Sequence, residues 1–279
     1  MNNEAKNKAN NGGASAPLII IGMVLFAAIA GGWWFYSSST AKSTVKSNTN
    51  GSVSKNAVDQ QEADRQAYRN APPGAQPPNT LGSPTATVTV EEFADYQCPT
   101  CAVQHPKMKE ITGLFGSRIK FIYRNFPLTQ MHKNAYESAV AAEAAGMQGS
   151  DKFWAMQKQL FENQQTWANS NEARKIFEEY AQKIGLDLAK FQNDVVGLPA
   201  KIRVDADLER GRKVGINGTP TIFLNGTKLL PEQTEVSALR QLIDAELQKA
   251  SGQNAPNQPT NQAVVVNSSS AGNSADGKK

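Results

Sequence analysis

The sequence has few cysteines and few histidines, with two of each in 279 residues. A single pair of cysteines excludes a small scaffold held together by several disulfides. A zinc site would have to draw on the four side chains of these types: Cys98, Cys101, His105 and His132. Their spacing matches no common zinc motif, so we expect no metal site and judge the cysteine pair by its own chemistry.

The charge of the chain is neither large nor concentrated. The formal net charge is +4, and lysine and arginine form no dense run interleaved with aromatic residues. Surfaces that bind nucleic acid usually show such a run. We therefore expect no nucleic-acid partner.

Charged residues are absent from one long stretch, residues 18–36, which ends in Trp33-Trp34-Phe35-Tyr36. Roughly 20 apolar residues in a helix span the core of a bilayer, and aromatic side chains favour its interface. We predict a transmembrane anchor at 18–36, preceded by a disordered cytoplasmic segment at 1–17. The alternative is a signal peptide that is cleaved after Ala28-Ile29-Ala30. Lysines flank the stretch on both sides, so its orientation has to follow from the chemistry of the domain.

The two ends of the chain are polar. Residues 37–79 are rich in Ser, Thr, Asn, Lys and Gln, which predicts a flexible linker with one short helix near residues 60–70. Residues 251–279 have a similar composition and are predicted to form a disordered tail. The packed domain is therefore expected at 80–250.

Hydrophobic periodicity within 80–250 predicts an α/β fold interrupted by helices. Residues 86–93 alternate as a strand, residues 99–115 follow as a helix, and residues 119–125 form a second strand. A block of helices comes next, at about 131–211. The chain then returns to two strands joined by Asn225-Gly226, a strong hairpin turn, and ends in an amphipathic helix.

The cysteine pair lies where the first strand runs into the helix, and Pro99 suits a first helical turn. Unpaired N–H groups and the helix dipole favour negative charge there, which lowers the pKa of Cys98 and makes its thiolate a nucleophile. Cys101 follows one turn later, within reach of a disulfide, so the pair can accept and return two electrons. A purely structural bridge is the alternative, but a four-residue loop gains only about 2 kcal/mol.

Two further features are candidates for the site. Side chains alternate along a strand, so Glu92 would point to the same side as Val88 and Val90, toward the interior. A carboxyl buried there can relay a proton to Cys101. An exposed acid at the strand end is the alternative. The segment Gly218-Thr219-Pro220-Thr221 precedes an apolar strand, and taken alone it is a turn.

Several stretches resemble the DsbA-like thiol-disulfide oxidoreductases of the thioredoxin superfamily. They are the strand and motif from Gly82 to Cys101, residues 119–128, residues 153–161, and the segment from Gly215 to Gly226. The combination is specific, because a strand, a Cys-Pro-x-Cys motif and a helix are followed much later by Gly-Thr-Pro-Thr. The resemblance implies a thioredoxin-like α/β fold with an inserted all-helical subdomain at about 131–211.

The resemblance also assigns roles within the Cys98-Pro99-Thr100-Cys101 motif. It implies that Cys98 is the exposed nucleophile and Cys101 the buried resolving thiol. Pro99 and Thr100 would set the environment of the thiolate. The redox-active disulfide would need no further cofactor.

Outside the motif, the resemblance implies three more roles. Pro220 would form a cis peptide bond beside the cysteines, and the backbone of Thr219 would pair with an extended client segment. Glu92 matches the position of the family's buried acid.

The resulting hypothesis is an enzyme that introduces disulfides into reduced or unfolded client proteins. A membrane oxidase would reoxidise the pair, and the anchor at 18–36 would hold the catalytic domain outside the cytoplasm, in the periplasm or at the cell surface. The alternatives are a reductase or isomerase of the same fold, and a tethered peptide-binding or chaperone module.

Overall fold

The computed structural model describes residues 55–252. The predicted anchor at 18–36, the segment at 1–17 and nearly all of the predicted tail lie outside these residues. Within 55–252, every helix is too short or too polar to cross a membrane.

One mixed sheet forms the centre of the domain. Its strands are β1 (Asn79–Gly82), β2 (Val88–Ala94), β3 (Ile119–Asn125), β4 (Thr221–Leu224) and β5 (Thr227–Lys228). The spatial order is β1-β3-β2-β4-β5, in which β2 and β3 run parallel and the other neighbouring pairs run antiparallel. The central strand β2 is buried on both faces, apart from a partly exposed Thr89.

Helices lie before, within and after this sheet. They are α1 (Lys55–Asn70), α2 (Pro99–Phe115), α3 (Ala135–Gly146), α4 (Ser150–Glu162), α5 (Gln164–Trp167), α6 (Ala173–Lys183), α7 (Leu188–Val196), α8 (Leu198–Lys213) and α9 (Val236–Ala250). Helices α3 to α8 separate β3 from β4, so the α/β fold with a helical insertion is confirmed. The insertion begins and ends within a few residues of the predicted 131–211.

Local sequence explains where the elements of the site begin and end. Helix α2 begins at Pro99, whose missing N–H costs nothing in a first turn, and ends where Gly116 adopts a positive φ of 52°. The β4–β5 turn has positive φ at both Asn225 (48°) and Gly226 (79°), as the hairpin prediction requires. The Asn225 side chain also accepts a hydrogen bond from Thr89 N (2.8 Å), which fixes the turn against β2.

The prediction of a flexible linker over 37–79 is wrong for residues 55–79. Helix α1 is longer than the predicted short helix, and its Tyr68 ring packs against Phe223 with centroids 5.0 Å apart. Arg65 Nε donates to Thr227 Oγ1 (2.9 Å) from the same helix. Strand β1 begins at Asn79 and pairs with β3. Polar composition concealed these contacts, because a few anchoring side chains are enough to fix a largely exposed helix.

A buried cluster of charges joins this N-terminal segment to the sheet. Arg124 donates to Glu91 (2.7 Å) and to Asp207 (2.9 Å), while Arg210 donates to both oxygens of Glu91 (2.9 and 2.8 Å). The two guanidinium groups also donate to backbone carbonyls of residues 72–75. Burial would raise the pKa of Glu91, but the two arginines outweigh it and lower that pKa. The carboxylate of Glu91 is therefore ionised and fully paired.

Replacing Arg124 with Met should destabilise the domain by about 3–5 kcal/mol, because Asp207 would keep a buried charge without this guanidinium. The matched control is Arg174→Met, which removes an exposed ion pair with Glu137 and should cost less than about 1 kcal/mol. Urea unfolding of the two full-length variants measures both free energies of unfolding. Equal losses would contradict a structural role for the cluster.

Candidate active site

Cys98 and Cys101 lie at the junction of the β2–α2 loop with α2, and both are free thiols. Cys98 N donates to Asp95 O (3.1 Å) and Cys98 O accepts from Ala102 N (3.2 Å), so the backbone enters the helix at Cys98. Cys98 is 7% exposed, whereas Cys101 is 0% exposed. Both cysteines are therefore buried, and Cys98 keeps a small solvent-accessible area whereas Cys101 has none.

The two thiols differ sharply in acidity. A hydrogen bond from Cys101, with another from Thr100, outweighs the effect of burial and lowers the pKa of Cys98 to about 4. The Thr100 Oγ1 lies 3.0 Å from Cys98 Sγ. Burial, reinforced by the neighbouring Cys98, raises the pKa of Cys101 well above its ordinary value. At neutral pH the reduced pair is thus one thiolate at Cys98 and one thiol at Cys101.

The loop before β4 faces this thiolate. The Thr219–Pro220 peptide bond is cis, and Thr219 O lies 3.4 Å from Cys98 Sγ and 3.2 Å from Thr100 Oγ1. The structure therefore brings together Cys98, Thr100, Thr219 and Pro220, which are far apart in sequence.

A surface groove of about 560 Å³ continues from this contact. We call it the proline groove; its wall includes Thr100, Val103, Pro220, Leu229 and Pro231. Val103 is 64% exposed, so the groove presents an apolar side chain to solvent.

Glu92 lies inside the domain, 4% exposed, so the alternative of an exposed acid at the strand end is wrong. It stands opposite Tyr123 in the β2–β3 pairing and lines a cavity of about 160 Å³. Burial raises its pKa to about 8. The carboxyl is therefore mostly protonated at neutral pH.

Side chains from the helical insertion fix the active-site loop, and sequence reasoning missed them. Gln164 Nε2 donates to the carbonyls of Tyr96 (2.7 Å) and Cys98 (3.0 Å). Gln97 Oε1 accepts from Asn134 N (2.8 Å), and Gln97 Nε2 donates to Ala168 O (2.6 Å). Single glutamines in a polar helix give no periodic signal, so only the fold reveals these contacts.

The two histidines are engaged in separate places. His132 Nδ1 lies 2.7 Å from Asp95 Oδ2, and that carboxylate also accepts from the backbone N–H groups of Gln97 (2.8 Å) and Leu128 (2.9 Å). His105 stacks on Phe161 with ring centroids 4.8 Å apart. In the part of the chain that the structure describes, His, Cys, Asp and Glu side chains form no group of three or more with metal-site geometry.

The family model described as Thioredoxin matches residues 75–245, which includes every site residue above. The chain belongs to the thioredoxin family. Among solved structures of similar fold is the thiol-disulfide exchange protein α-DsbA2 from Wolbachia pipientis, with a TM-score of 0.56 and 18% identity over 67% of this chain and 97% of that one. In fold, this thioredoxin-family chain is therefore DsbA-like.

The relatives that are similar in sequence include proteins with different names. Na(+)/H(+) antiporter NhaA 1 of Mycolicibacterium gilvum is 35% identical over 149 residues, which are 53% of this chain and 23% of the antiporter. The probable disulfide bond formation protein D of Bacillus cereus is 28% identical over 178 residues, which are 61% of this chain and 79% of that protein. The chain thus spans less than a quarter of the antiporter and most of the Bacillus protein.

Replacing Thr100 with Val should raise the pKa of Cys98 above about 4, because it removes the hydroxyl beside Sγ and keeps the shape of the side chain. Thr112→Val makes the same change further along α2, where the hydroxyl donates to Lys109 O, and should leave the pKa unchanged. The ultraviolet absorbance of the thiolate, followed against pH in the reduced protein, measures both. An unshifted titration in Thr100→Val would rule out this hydrogen bond as a source of the acidity.

Proposed function

We propose that this chain is a protein-disulfide oxidoreductase that introduces disulfides into reduced client proteins through Cys98 and Cys101. The observation that carries the proposal is the asymmetry of the pair: a thiolate that solvent can reach at Cys98, and a fully buried thiol at Cys101. The name of the Bacillus cereus relative, probable disulfide bond formation protein D, supports the same chemistry.

The reaction begins with the Cys98–Cys101 disulfide. A client thiolate attacks Cys98 Sγ, the S–S bond breaks, and Cys101 leaves as a thiolate that takes up one proton. A second client thiolate then attacks the client sulfur of the mixed disulfide, and Cys98 leaves as a stable thiolate. The client has lost two electrons, the cysteine pair has gained them, and of the two client thiol protons one resides on Cys101 and one is in solvent.

The acidity of Cys98 favours this direction of electron flow. In the folded reduced protein the pKa is lowered from 9.0 to about 4, so ionisation stabilises that state increasingly from about pH 4 up to about pH 9. The stabilisation is lost as the pH falls through about 4. The oxidised form has no thiolate, so ionisation does not stabilise it. A reduced form stabilised in this way makes the disulfide a strong oxidant.

Client recognition is assigned to the backbone of Thr219 and to the proline groove. An extended client segment would form main-chain hydrogen bonds at Thr219, as in β-strand addition, and these bonds depend little on client sequence. Apolar client side chains would enter the groove beside Val103. This arrangement suits many unfolded substrates.

A membrane oxidase is the proposed partner that returns the pair to the disulfide. Disulfides persist outside the cytoplasm, and the uncharged stretch at 18–36 would anchor the chain in the membrane beside such a partner. We therefore place the domain on the extracytoplasmic side.

The full chain should oxidise a reduced client peptide, and Cys98→Ala should abolish this activity. Cys101→Ala, treated with oxidised glutathione, should instead accumulate a mixed disulfide between Cys98 and glutathione, with one reduced glutathione released, because no resolving thiol remains to break it. Mass spectrometry detects the adduct, and equilibration with glutathione gives the reduction potential. A potential as low as that of cytosolic thioredoxins, about −270 mV, would favour the reductase alternative. Client refolding that is unchanged in Cys98→Ala would favour the peptide-binding module.

A thiol-alkylating probe that cannot cross membranes should label Cys98 in intact cells after reduction, once an outer envelope has been made permeable. Cys101 should stay unlabelled because it is fully buried. A cytoplasmic protein with an exposed thiol is the control for leakage. Labelling that requires lysis of the inner membrane would contradict the extracytoplasmic placement.

A further inference from the structure

A second cavity lies against a different face of α2 from the proline groove. This cavity, of about 160 Å³, is the one that Glu92 lines. On α2 it is lined by residues 105, 108, 109 and 112, whereas residues 100, 103, 104 and 107 line the groove. Positions three and four apart share one face of a helix, so the two sites use different faces. A ligand in the cavity would leave the groove free for a client.

The cavity is large enough for one aromatic ring. An engineered apolar cavity of about 150 Å³ binds benzene, and the volume here is similar. The buried Met108 and Phe121, both 3% exposed, and the partly buried Trp154 form its apolar wall. The ring centroids of Phe121 and Trp154 are 6.0 Å apart, and the rings are tilted by 41°. An aromatic ligand can contact such a wall with its face or its edge.

The buried acid of the cavity is Glu92, which is 4% exposed. Burial alone raises its pKa to about 8, and no hydrogen bond or charge from the described residues offsets this effect. At neutral pH the carboxyl is therefore mostly protonated and has an O–H to donate. Buried polar groups are usually hydrogen-bonded, so this carboxyl favours a ligand that carries a hydrogen-bond acceptor.

The mouth of the cavity is positively charged. Lys109 and Lys158 are exposed residues of its lining, and neither forms an ion pair with an acid of residues 55–252. His105 also lines the cavity, and burial lowers its pKa, so it is neutral at neutral pH. Glu162 interacts with His105 but does not line the cavity. Because the buried acid is neutral and the lysines are charged, the lining favours an anion.

We propose that this cavity binds a small aromatic carboxylate. The ring packs against Phe121 and Trp154. The carboxylate accepts hydrogen bonds from the Glu92 carboxyl and from the two lysines at the mouth. The class of ligand follows from the apolar wall, the neutral acid and the lysines taken together. Binding forms and breaks no covalent bond, so the proposal does not depend on the disulfide chemistry.

Glu92 makes this binding depend on pH. The titratable groups that line the cavity, or that interact with its lining, are Glu92, Tyr96, His105, Lys109, Tyr123, Lys158 and Glu162. Burial raises the pKa of both tyrosines well above its ordinary value, so they stay neutral. Glu92 ionises as the pH rises through about 8, and it then has no O–H to donate and repels an anion. If the anion binds only the protonated form, its affinity falls roughly tenfold between about pH 7 and about pH 9.

The test uses three probes of similar shape: benzoate, neutral benzamide and cationic benzylamine. Ligand-observed NMR with the full chain gives each dissociation constant, and nuclear Overhauser effects to the Trp154 ring locate the bound probe. The variants are Glu92→Gln and a double variant that combines Lys109→Met with Lys158→Met. Lys228→Met is the matched control, because Lys228 is an exposed lysine that lines the proline groove instead.

Benzoate should contact Trp154 and should bind more tightly than benzamide or benzylamine at about pH 7. The double lysine variant should weaken benzoate binding roughly threefold to tenfold, because two exposed charges are lost, and Lys228→Met should leave it unchanged. Glu92→Gln has an N–H to donate at every pH. It should therefore bind benzoate as the wild type does at about pH 7 and lose no affinity at about pH 9.

Benzoate that does not bind, or that is weakened by Lys228→Met and not by the double lysine variant, would overturn the proposal. Tighter binding of benzylamine than of benzoate would also overturn it, because the cavity would then select a cation. An equal loss of affinity at high pH in the wild type and in Glu92→Gln would rule out the role of the carboxyl. If Glu92→Gln does not fold, benzamide decides: in the wild type its affinity should fall much less than that of benzoate between the two pH values.

Discussion

The two sulfurs of this domain lie one helical turn apart and differ in hydrogen bonding and in burial. Cys98 lies at the start of α2, where a thiol, a hydroxyl and the helix end stabilise its charge, whereas Cys101 is surrounded by the core and keeps its proton. If both thiols were exposed, they would titrate alike and the pair would have no preferred leaving group. The loop that joins β2 to α2 must therefore hold Cys98 at the surface and Cys101 beneath it.

Polar contacts from distant segments maintain that position. Gln164 donates to two carbonyls of the loop, and the Asp95 carboxylate accepts one backbone N–H from within the loop, at Gln97, and one from Leu128 after β3. On the other face of the sheet, Arg124 and Arg210 fix β2 and β3 to the N-terminal segment. Such contacts are directional, so they set the orientation of the loop more sharply than apolar packing would. The helical insertion and the segment at 71–79 are in this sense parts of the active site.

Much of the fold could be predicted from the sequence, because the buried helices and strands are also those whose apolar residues recur at a regular spacing. The structure places α2 at 99–115 and β3 at 119–125, as predicted, and the Asn225-Gly226 turn has the expected backbone. Strand β1 and the first residues of helix α1 were missed, because their sequences are polar and a few contacts fix them. The loop contacts of Gln164 and Asn134 were also missed, since hydrogen bonds between distant segments leave no local pattern. Cys98 and Cys101 were found because their spacing at a helix start has a chemical meaning of its own.

Glu91 and Glu92 show how completely surroundings decide the role of a residue type. Alternation along β2 turns these neighbours to opposite faces of the sheet, and both are buried. Glu91 meets two guanidinium groups, which lower its pKa and make it a structural anion. Glu92 meets tyrosines and a cavity, and burial raises its pKa to about 8. A shift of the strand register by one residue would exchange the two environments, leaving the arginines without their carboxylate and the cavity without its buried acid. The register of β2 against β3 therefore fixes the environments of both glutamates together.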